Sequence, residues 1–180
     1  MNTQETITLA GGCFWCTEAV FEEVRGVTRL TSGYANGQVR HAPSYEEVCS
    51  GTTGCAEVIQ LQFDPAQISL RQVLEIFFAT HDPTQLNRQG NDVGTQYRSG
   101  VYYGDSAQGE LARALVQELA AEGGFGAPIV TEIEPLAQFW PAEGYHQRYY
   151  SSHPQQGYCA YVISPKVQKL RKTFARHLKA

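Results

Sequence analysis

The chain lacks an excess of positive charge, a hydrophobic run of membrane length and the pattern of a secretory leader. Its 180 residues carry a formal net charge of −4, so it has no basic field of the kind that attracts nucleic acids. No apolar run approaches the roughly 20 residues of a membrane span, and residues 1–10 have neither the basic start nor the apolar core of a signal peptide. These absences predict a cytoplasmic protein that binds neither nucleic acid nor membrane.

Internal repeats, low-complexity segments and an interdomain linker are also missing. We therefore expect one domain over residues 1–180, long enough for a proper core. The five cysteines are an odd number, in a chain too large to need disulfide staples, which favours reduced thiols with a chemical role.

The hydrophobic pattern predicts an α+β fold. Strands are expected at 6–10, 27–34, 57–64, 97–105 and 128–136, and helices from Cys13 and at 45–49, 68–80, 106–122, 142–152 and 166–179, with a strand or extended tail at 159–164. Residues 81–96 form a long polar loop of the kind that often carries function. This order predicts a two-layer sandwich with a ferredoxin-like split βαβ core, a mostly antiparallel sheet and a long coil-rich C-terminal region.

The most informative segment surrounds Cys13. Gly11 and Gly12 follow a strand-like run and permit a sharp turn, which places Cys13 at the start of a helix. Free backbone N–H groups and the helix dipole at such a position lower the pKa of a thiol. The segment therefore predicts a reactive cysteine.

A reactive cysteine needs partners that handle protons. Glu57 opens an apolar strand, where burial would raise its pKa and let it donate a proton; the alternative is an exposed strand residue. Tyr45 and Tyr97 are candidate hydroxyl donors, although ten tyrosines make each one a weak signal. Asp92 in the polar loop is, on its own, more typical of a turn. Phe14 and Trp15 are candidate apolar walls.

Cys13 and Cys16 form a Cys-x-x-Cys pair with three interpretations. As a redox pair, its Cβ atoms at helical spacing lie about 5–6 Å apart, whereas a disulfide needs about 3.5–4.5 Å, so closure requires a local adjustment of the first turn. As a zinc site, the pair would be completed by Cys49 and Cys55, at a poor spacing. In the third interpretation, Cys16 is simply a small buried residue.

Six ordered segments resemble peptide methionine sulfoxide reductases of the A type, which act on the S epimer of the sulfoxide. They are residues 12–18, 33–37, 45–51, 56–58, 81–99 and 142–147. The resemblance implies that Cys13 attacks the sulfoxide sulfur and becomes a sulfenic acid, and that Glu57 protonates the oxygen with help from Tyr45 and Tyr97. It also implies that Phe14 and Trp15 hold the substrate methyl group and that Asp92 contacts the substrate backbone or an ordered water.

The family resemblance further implies that a second thiol condenses with the sulfenic acid and that thioredoxin, or a similar dithiol, reduces the resulting disulfide. Cys16 is the nearest candidate, and Cys159 follows a mobile-looking stretch, 151–157, that would let it reach the site. Cys16 is favoured, with a relay through both left open. The chain has Cys55 where the family usually has His, which we expect to be a passive replacement.

The expectation is thus a monomeric enzyme that repairs methionine sulfoxide, free or in proteins, without a metal or other cofactor. The basic segment 166–179 is more typical of a solvated helix face than of a nucleic-acid site, and the histidines show no ligand spacing. Two alternatives remain: a general thiol–disulfide oxidoreductase, and a zinc-bound interaction module.

Overall fold

A computed structural model of the chain describes residues 3–180. The helices are α1 (Phe14–Glu22), α2 (Tyr45–Cys49), α3 (Leu70–Thr80), α4 (Ser106–Glu122), α5 (Tyr149–Ser152) and α6 (Ser164–Thr173). The strands are β1 (Glu5–Gly11), β2 (Val27–Ala35), β3 (Ala56–Phe63), β4 (Arg88–Gln89), β5 (Asp92–Val93), β6 (Ser99–Tyr103), β7 (Glu132–Pro135) and β8 (Phe139–Pro141). Within this described part, no helix is both long and apolar enough to cross a membrane.

Six of the strands form one sheet in the order β7-β6-β1-β3-β2-β8, and β4 and β5 form a separate small hairpin. Every neighbouring pair is antiparallel except β6 and β7, which run parallel. The predicted mixture of helices with a mostly antiparallel sheet is therefore confirmed.

The core follows the alternation of side chains along the strands. Ile7 and Leu9 of β1 join the main core together with Phe77 of α3, whereas the next residue of the strand, Ala10, belongs to a smaller cluster with Val58 of β3. The predicted helix at 68–80 is α3, and it buries one apolar stripe made by Val73, Leu74, Phe77 and Phe78. The sheet and α3 together thus fix the position of the strand ends from which the site is built.

The ends of α3 and α4 match their sequence signals. Ser69 accepts a hydrogen bond from the Gln72 backbone N–H, and the Gln72 side chain accepts one from the Ser69 N–H, which makes a capping box. Gly123 ends α4 with a left-handed φ of +69°. The start of α3 and the end of α4 are therefore set by residues within a few positions of them.

The polar loop and the C-terminal third differ from the prediction. The loop contains β4, β5 and a 3₁₀ turn, Thr95–Tyr97, while β7 is shorter than expected and β8 was not predicted. Residues 142–152 do not form one helix: a 3₁₀ turn, Gly144–His146, and α5 are separated by Arg148, whose φ is +56°. The basic helix, predicted at 166–179, is α6 and ends at Thr173.

The predicted strand or extended tail at 159–164 is wrong, whereas residues 123–158 contain little regular structure, as expected for a coil-rich region. Cys159–Ile163 forms a π-helical turn that continues into α6. The physical reason is a buried face made by Cys159, Ile163, Val167 and Leu170, which are three or four residues apart and pack against the rest of the molecule.

Candidate active site

Cys13 lies at the junction between β1 and α1. Gly12 turns the chain there with a φ of +93°, and a Cβ on it would meet the Gln89 side chain at 2.7 Å, so the position requires glycine. Cys13 is the N-cap of α1, and its carbonyl accepts a hydrogen bond from the Cys16 backbone N–H at 3.0 Å. The half-buried thiol therefore stands at the first turn of the helix.

Glu57 lies on β3 beside this first turn and is only 1% exposed, so the interpretation as an exposed strand residue is wrong. Its Oε1 accepts a hydrogen bond from the Phe14 backbone N–H at 3.2 Å, and nothing among residues 3–180 hydrogen-bonds its buried Oε2. Burial raises the pKa of Glu57 to about 8, more than the Phe14 N–H lowers it. The carboxyl group is therefore mostly protonated at neutral pH.

The pKa of Cys13 differs from the sequence prediction. Burial raises it well above the usual value, the neighbouring Cys16 thiol and Glu57 raise it further, and the Trp15 backbone N–H lowers it only in part. The prediction of a lowered pKa is wrong because the cost of burying a thiolate exceeds what the Trp15 backbone N–H at the helix start contributes. Without substrate, Cys13 is therefore protonated at neutral pH.

Cys16, one turn further along α1, is buried but has the opposite shift. Contact with Cys13 first, and then the charge of Lys166, lower the pKa of Cys16 to about 7 against the effect of burial. Cys13 and Cys16 thus act as one coupled pair.

Tyr45 and Tyr97 both lie close enough to Glu57 for its charge to raise their pKa values. Burial raises the pKa of each phenol well above its ordinary value, and Glu57 adds to the shift; for Tyr45 the Cys49 thiol contributes as well, and for Tyr97 the Cys13 thiol does. Both hydroxyls keep their protons at neutral pH and are available as hydrogen-bond donors.

Phe14 and Trp15 are held rigidly by other aromatic residues. The Phe14 ring is buried, with its centroid 5.7 Å from that of Tyr34 and 5.1 Å from that of His146. Trp15 donates a hydrogen bond from Nε1 to His146 Nδ1 at 3.1 Å, and it stacks on Tyr149 with centroids 3.7 Å apart. His146 therefore has a structural role and fixes the positions of both rings.

Tyr158 is a site residue that the sequence did not single out. Its hydroxyl donates a hydrogen bond to Asp92 Oδ2 at 2.6 Å and lies 3.6 Å from Cys16 Sγ. The next residue, Cys159, is buried in the same apolar cluster as Cys16. The helical spacing from Cys159 to Leu170 was the available signal, because a helix there brings Tyr158 to α1.

Cys49 and Cys55 lie at the edge of this group. The Cys55 thiol is buried against Gly37, where an added Cβ would collide with its Sγ, and its backbone N–H donates to Thr53 Oγ1 at 3.2 Å. This packing supports the passive role expected of Cys55. Across residues 3–180 no group of three or more His, Cys, Asp or Glu side chains is arranged to hold a metal ion.

Comparison with known proteins gives a consistent result. A family model described as peptide methionine sulfoxide reductase matches residues 5–178. The chain is 54% identical over 180 residues to the peptide methionine sulfoxide reductase MsrA of Ralstonia nicotianae, which covers 98% of this chain and 94% of that protein.

Solved structures agree with the sequence comparison. Reduced Mxr1 from Saccharomyces cerevisiae superposes with a TM-score of 0.79 at 38% identity, covering 87% of this chain and 89% of that one. Mxr1 in complex with Trx2 superposes with a TM-score of 0.56 at 29% identity, covering 81% of this chain and 84% of that one.

Proposed function

The chain belongs to the peptide methionine sulfoxide reductase family, and from that premise we propose that it reduces the S epimer of methionine sulfoxide with Cys13 as nucleophile and Glu57 as proton donor. The observation that carries this proposal is a buried, protonated carboxyl group beside a thiol at the first turn of α1. Sulfoxide reduction requires both groups, because the oxygen leaves sulfur readily only when it is protonated.

The first step transfers the sulfoxide oxygen to Cys13. The Cys13 sulfur attacks the sulfoxide sulfur while Glu57 protonates the oxygen, which gives a transient sulfur–sulfur bond. The oxygen then passes to the Cys13 sulfur: the sulfur–oxygen bond of the sulfenic acid forms as the substrate's sulfur–oxygen bond and the transient sulfur–sulfur bond break. The thiol proton returns to Glu57, so the products are methionine and a Cys13 sulfenic acid. Tyr45 and Tyr97 donate hydrogen bonds to the oxygen while negative charge develops on it.

Aromatic and polar groups position the substrate around Cys13. The rigid Phe14 and Trp15 rings offer an apolar surface for the methyl group, and Asp92 at the start of β5 accepts hydrogen bonds from the substrate backbone or an ordered water. A substrate that fits both surfaces is a methionine sulfoxide residue, free or within a protein.

The second step converts the sulfenic acid to a disulfide. Cys16 is the favoured attacking thiol, because it shares the first turn of α1 with Cys13 and the pKa of its thiol is lowered to about 7. Cys159 packs against Cys16 in one cluster and would receive the disulfide by exchange once its π-helical turn opens. Since the related yeast Mxr1 is known in complex with Trx2, we propose a thioredoxin as the reductant.

The finer aspects of architecture and setting belong to the same proposal. β1, α1, β2, β3, α3 and β6 follow the order βαββαβ, and the sheet order β6-β1-β3-β2 supports a ferredoxin-like split βαβ core in a two-layer sandwich. The main core draws on β1, β3, α1, α3 and α6, which supports one domain.

Five free thiols suit a reducing compartment such as the cytoplasm, and we propose that the enzyme works there as a monomer.

The proposal is tested by one turnover on methionine S-sulfoxide without reductant, followed by alkylation and peptide mass mapping. We expect one methionine per chain and a disulfide from Cys13 to Cys16 or Cys159, with no turnover of the R epimer. Cys13→Ser is the matched control and should release no methionine. Unchanged thiols with no methionine would overturn the proposal, and reduction of insulin without sulfoxide consumption would favour the general oxidoreductase.

A further inference from the structure

The second step leaves open where the Cys16 proton goes. The Cys16 side chain is only 3% exposed, so water has little direct access to the thiol. Attack on the sulfenic acid requires the proton to leave the Cys16 sulfur. A hydrogen-bonded neighbour is therefore the most direct route for the proton.

The hydroxyl of Tyr158 lies between Cys16 and Asp92. Its oxygen is 2.6 Å from Asp92 Oδ2 and 3.6 Å from Cys16 Sγ. The first distance is typical of a hydroxyl that donates to a carboxylate, and a carboxylate can only accept. The single phenol hydrogen therefore points to Asp92, which leaves the oxygen free to accept from the Cys16 thiol.

The Tyr158 ring is held in this position from two sides. It meets Trp15 edge to face, with centroids 5.9 Å apart, and Trp15 is itself stacked on Tyr149. On the backbone side, the Cys159 N–H donates to Gln156 Oε1 at 3.1 Å. Asp92 is partly exposed, so it connects this buried pair of groups to solvent.

We propose that Tyr158 is a catalytic residue of the second step and passes the proton of Cys16 to Asp92 while Cys16 attacks the Cys13 sulfenic acid. The inference rests on the proposed function. The Cys16–Cys13 sulfur–sulfur bond forms and the sulfur–oxygen bond of the sulfenic acid breaks; Cys16 is oxidised and the sulfenic sulfur is reduced. The oxygen leaves as water with a proton from Glu57, and exchange with solvent then restores both carboxyl groups.

The test is a single turnover of Tyr158→Phe in a Cys159→Ser background, which removes the other candidate resolving thiol. Methionine formation should slow far less than disulfide formation, each rate being compared with that of the Cys159→Ser parent. Disulfide formation should be at least about tenfold slower, with the sulfenic acid accumulating as a dimedone adduct. Tyr161→Phe is the matched control, because Tyr161 lies in the π-helical turn that directly follows Tyr158 and is 84% exposed; both steps should keep their rates.

A second variant tests the relay independently of any movement of the residue 158 ring in Tyr158→Phe. Asp92→Asn leaves an amide oxygen that accepts a hydrogen bond but does not take up the proton, so it should slow disulfide formation from the preformed sulfenic acid. Disulfide formation at the parental rate in Tyr158→Phe would overturn the relay, and so would equal slowing of both steps, which indicates a structural role. A wild-type chain that forms no methionine would instead overturn the proposed function itself.

Discussion

At the scale of single residues, the chemistry depends on which groups keep their protons at neutral pH. Burial raises the pKa values of Glu57, Tyr45 and Tyr97, so all three can donate hydrogen to the sulfoxide oxygen. Cys13 is protonated as well, which means that it becomes a nucleophile only as its proton is exchanged for that of Glu57. Under the proposed function, protonation of the oxygen by Glu57 and activation of Cys13 are therefore linked.

Glu57→Gln should lower kcat/KM by about 10²- to 10⁴-fold, because the amide cannot supply the proton. The wild-type value should fall as pH rises through about 8, where Glu57 loses its proton, and this descending limb should be absent from the variant. Methionine release measured between pH 6 and 9 checks both statements. Full activity in Glu57→Gln would exclude Glu57 as the acid.

At the scale of secondary-structure elements, the pair of thiols depends on the contact between α1 and α6. Lys166 in the first turn of α6 lines a small cavity together with Cys16, whereas Lys169, one turn later, lines only the adjacent outer pocket. The Lys166 charge helps to lower the pKa of Cys16 after the larger effect of Cys13. The C-terminal helix therefore influences the chemistry of the N-terminal one.

Lys166→Met should raise the pKa of Cys16 by up to about 1 unit, since a nearby positive charge is removed. The expected result is slower alkylation of Cys16 at pH 7, read residue by residue from a peptide mass map over a pH series. Lys169→Met is the matched control and should leave the labelling curve unchanged. Identical curves for the two variants would show that the Lys166 charge does not act on Cys16.

At the scale of the whole molecule, buried carboxyl groups link stability to pH. Glu18 of α1 accepts a hydrogen bond from the Ser32 hydroxyl of β2 at 3.1 Å, and burial raises its pKa to about 7; Glu57 is similar, at about 8. A carboxyl group whose folded pKa is raised stabilises the fold fully below its unfolded pKa and loses that contribution as pH rises through the folded value. Burial lowers the pKa of His81 to about 4, below the value of about 6.5 in an unfolded chain. His81 therefore opposes this trend only below about pH 6.5, where the unfolded chain binds a proton that the folded protein does not.

Glu18→Gln should therefore gain thermal stability relative to wild type as pH rises from 5 to 8. The difference in Tm should widen by roughly 5 °C over this range, since the amide cannot be forced to ionise in its buried position. Thermal unfolding followed by circular dichroism at several pH values measures it. A difference that stays constant with pH would show that Glu18 ionises as easily in the folded state as in the unfolded chain.

Local sequence determined the elements whose signals lie within a few residues. The capping box at Ser69, the stop at Gly123 and the turn at Gly12 each follow from the backbone preferences of one or two residues. The order of strands and helices likewise followed from the hydrophobic period, because each buried face repeats at a fixed spacing along its own element. The Cys13 motif and the segments that resemble the reductase family were also visible in the sequence.

Only the tertiary structure decided which distant groups share the site and in which protonation state. The Phe14 N–H meets Glu57, 43 residues away, and burial of the Cys13 thiol in the folded chain explains why the predicted thiolate does not form in the free enzyme. The C-terminal turn was misread as extended because its π-helical form depends on packing against α1, and with it Tyr158 was missed. Burial and proximity are properties of the folded chain, so pKa values and proton routes follow from contacts that no local pattern records.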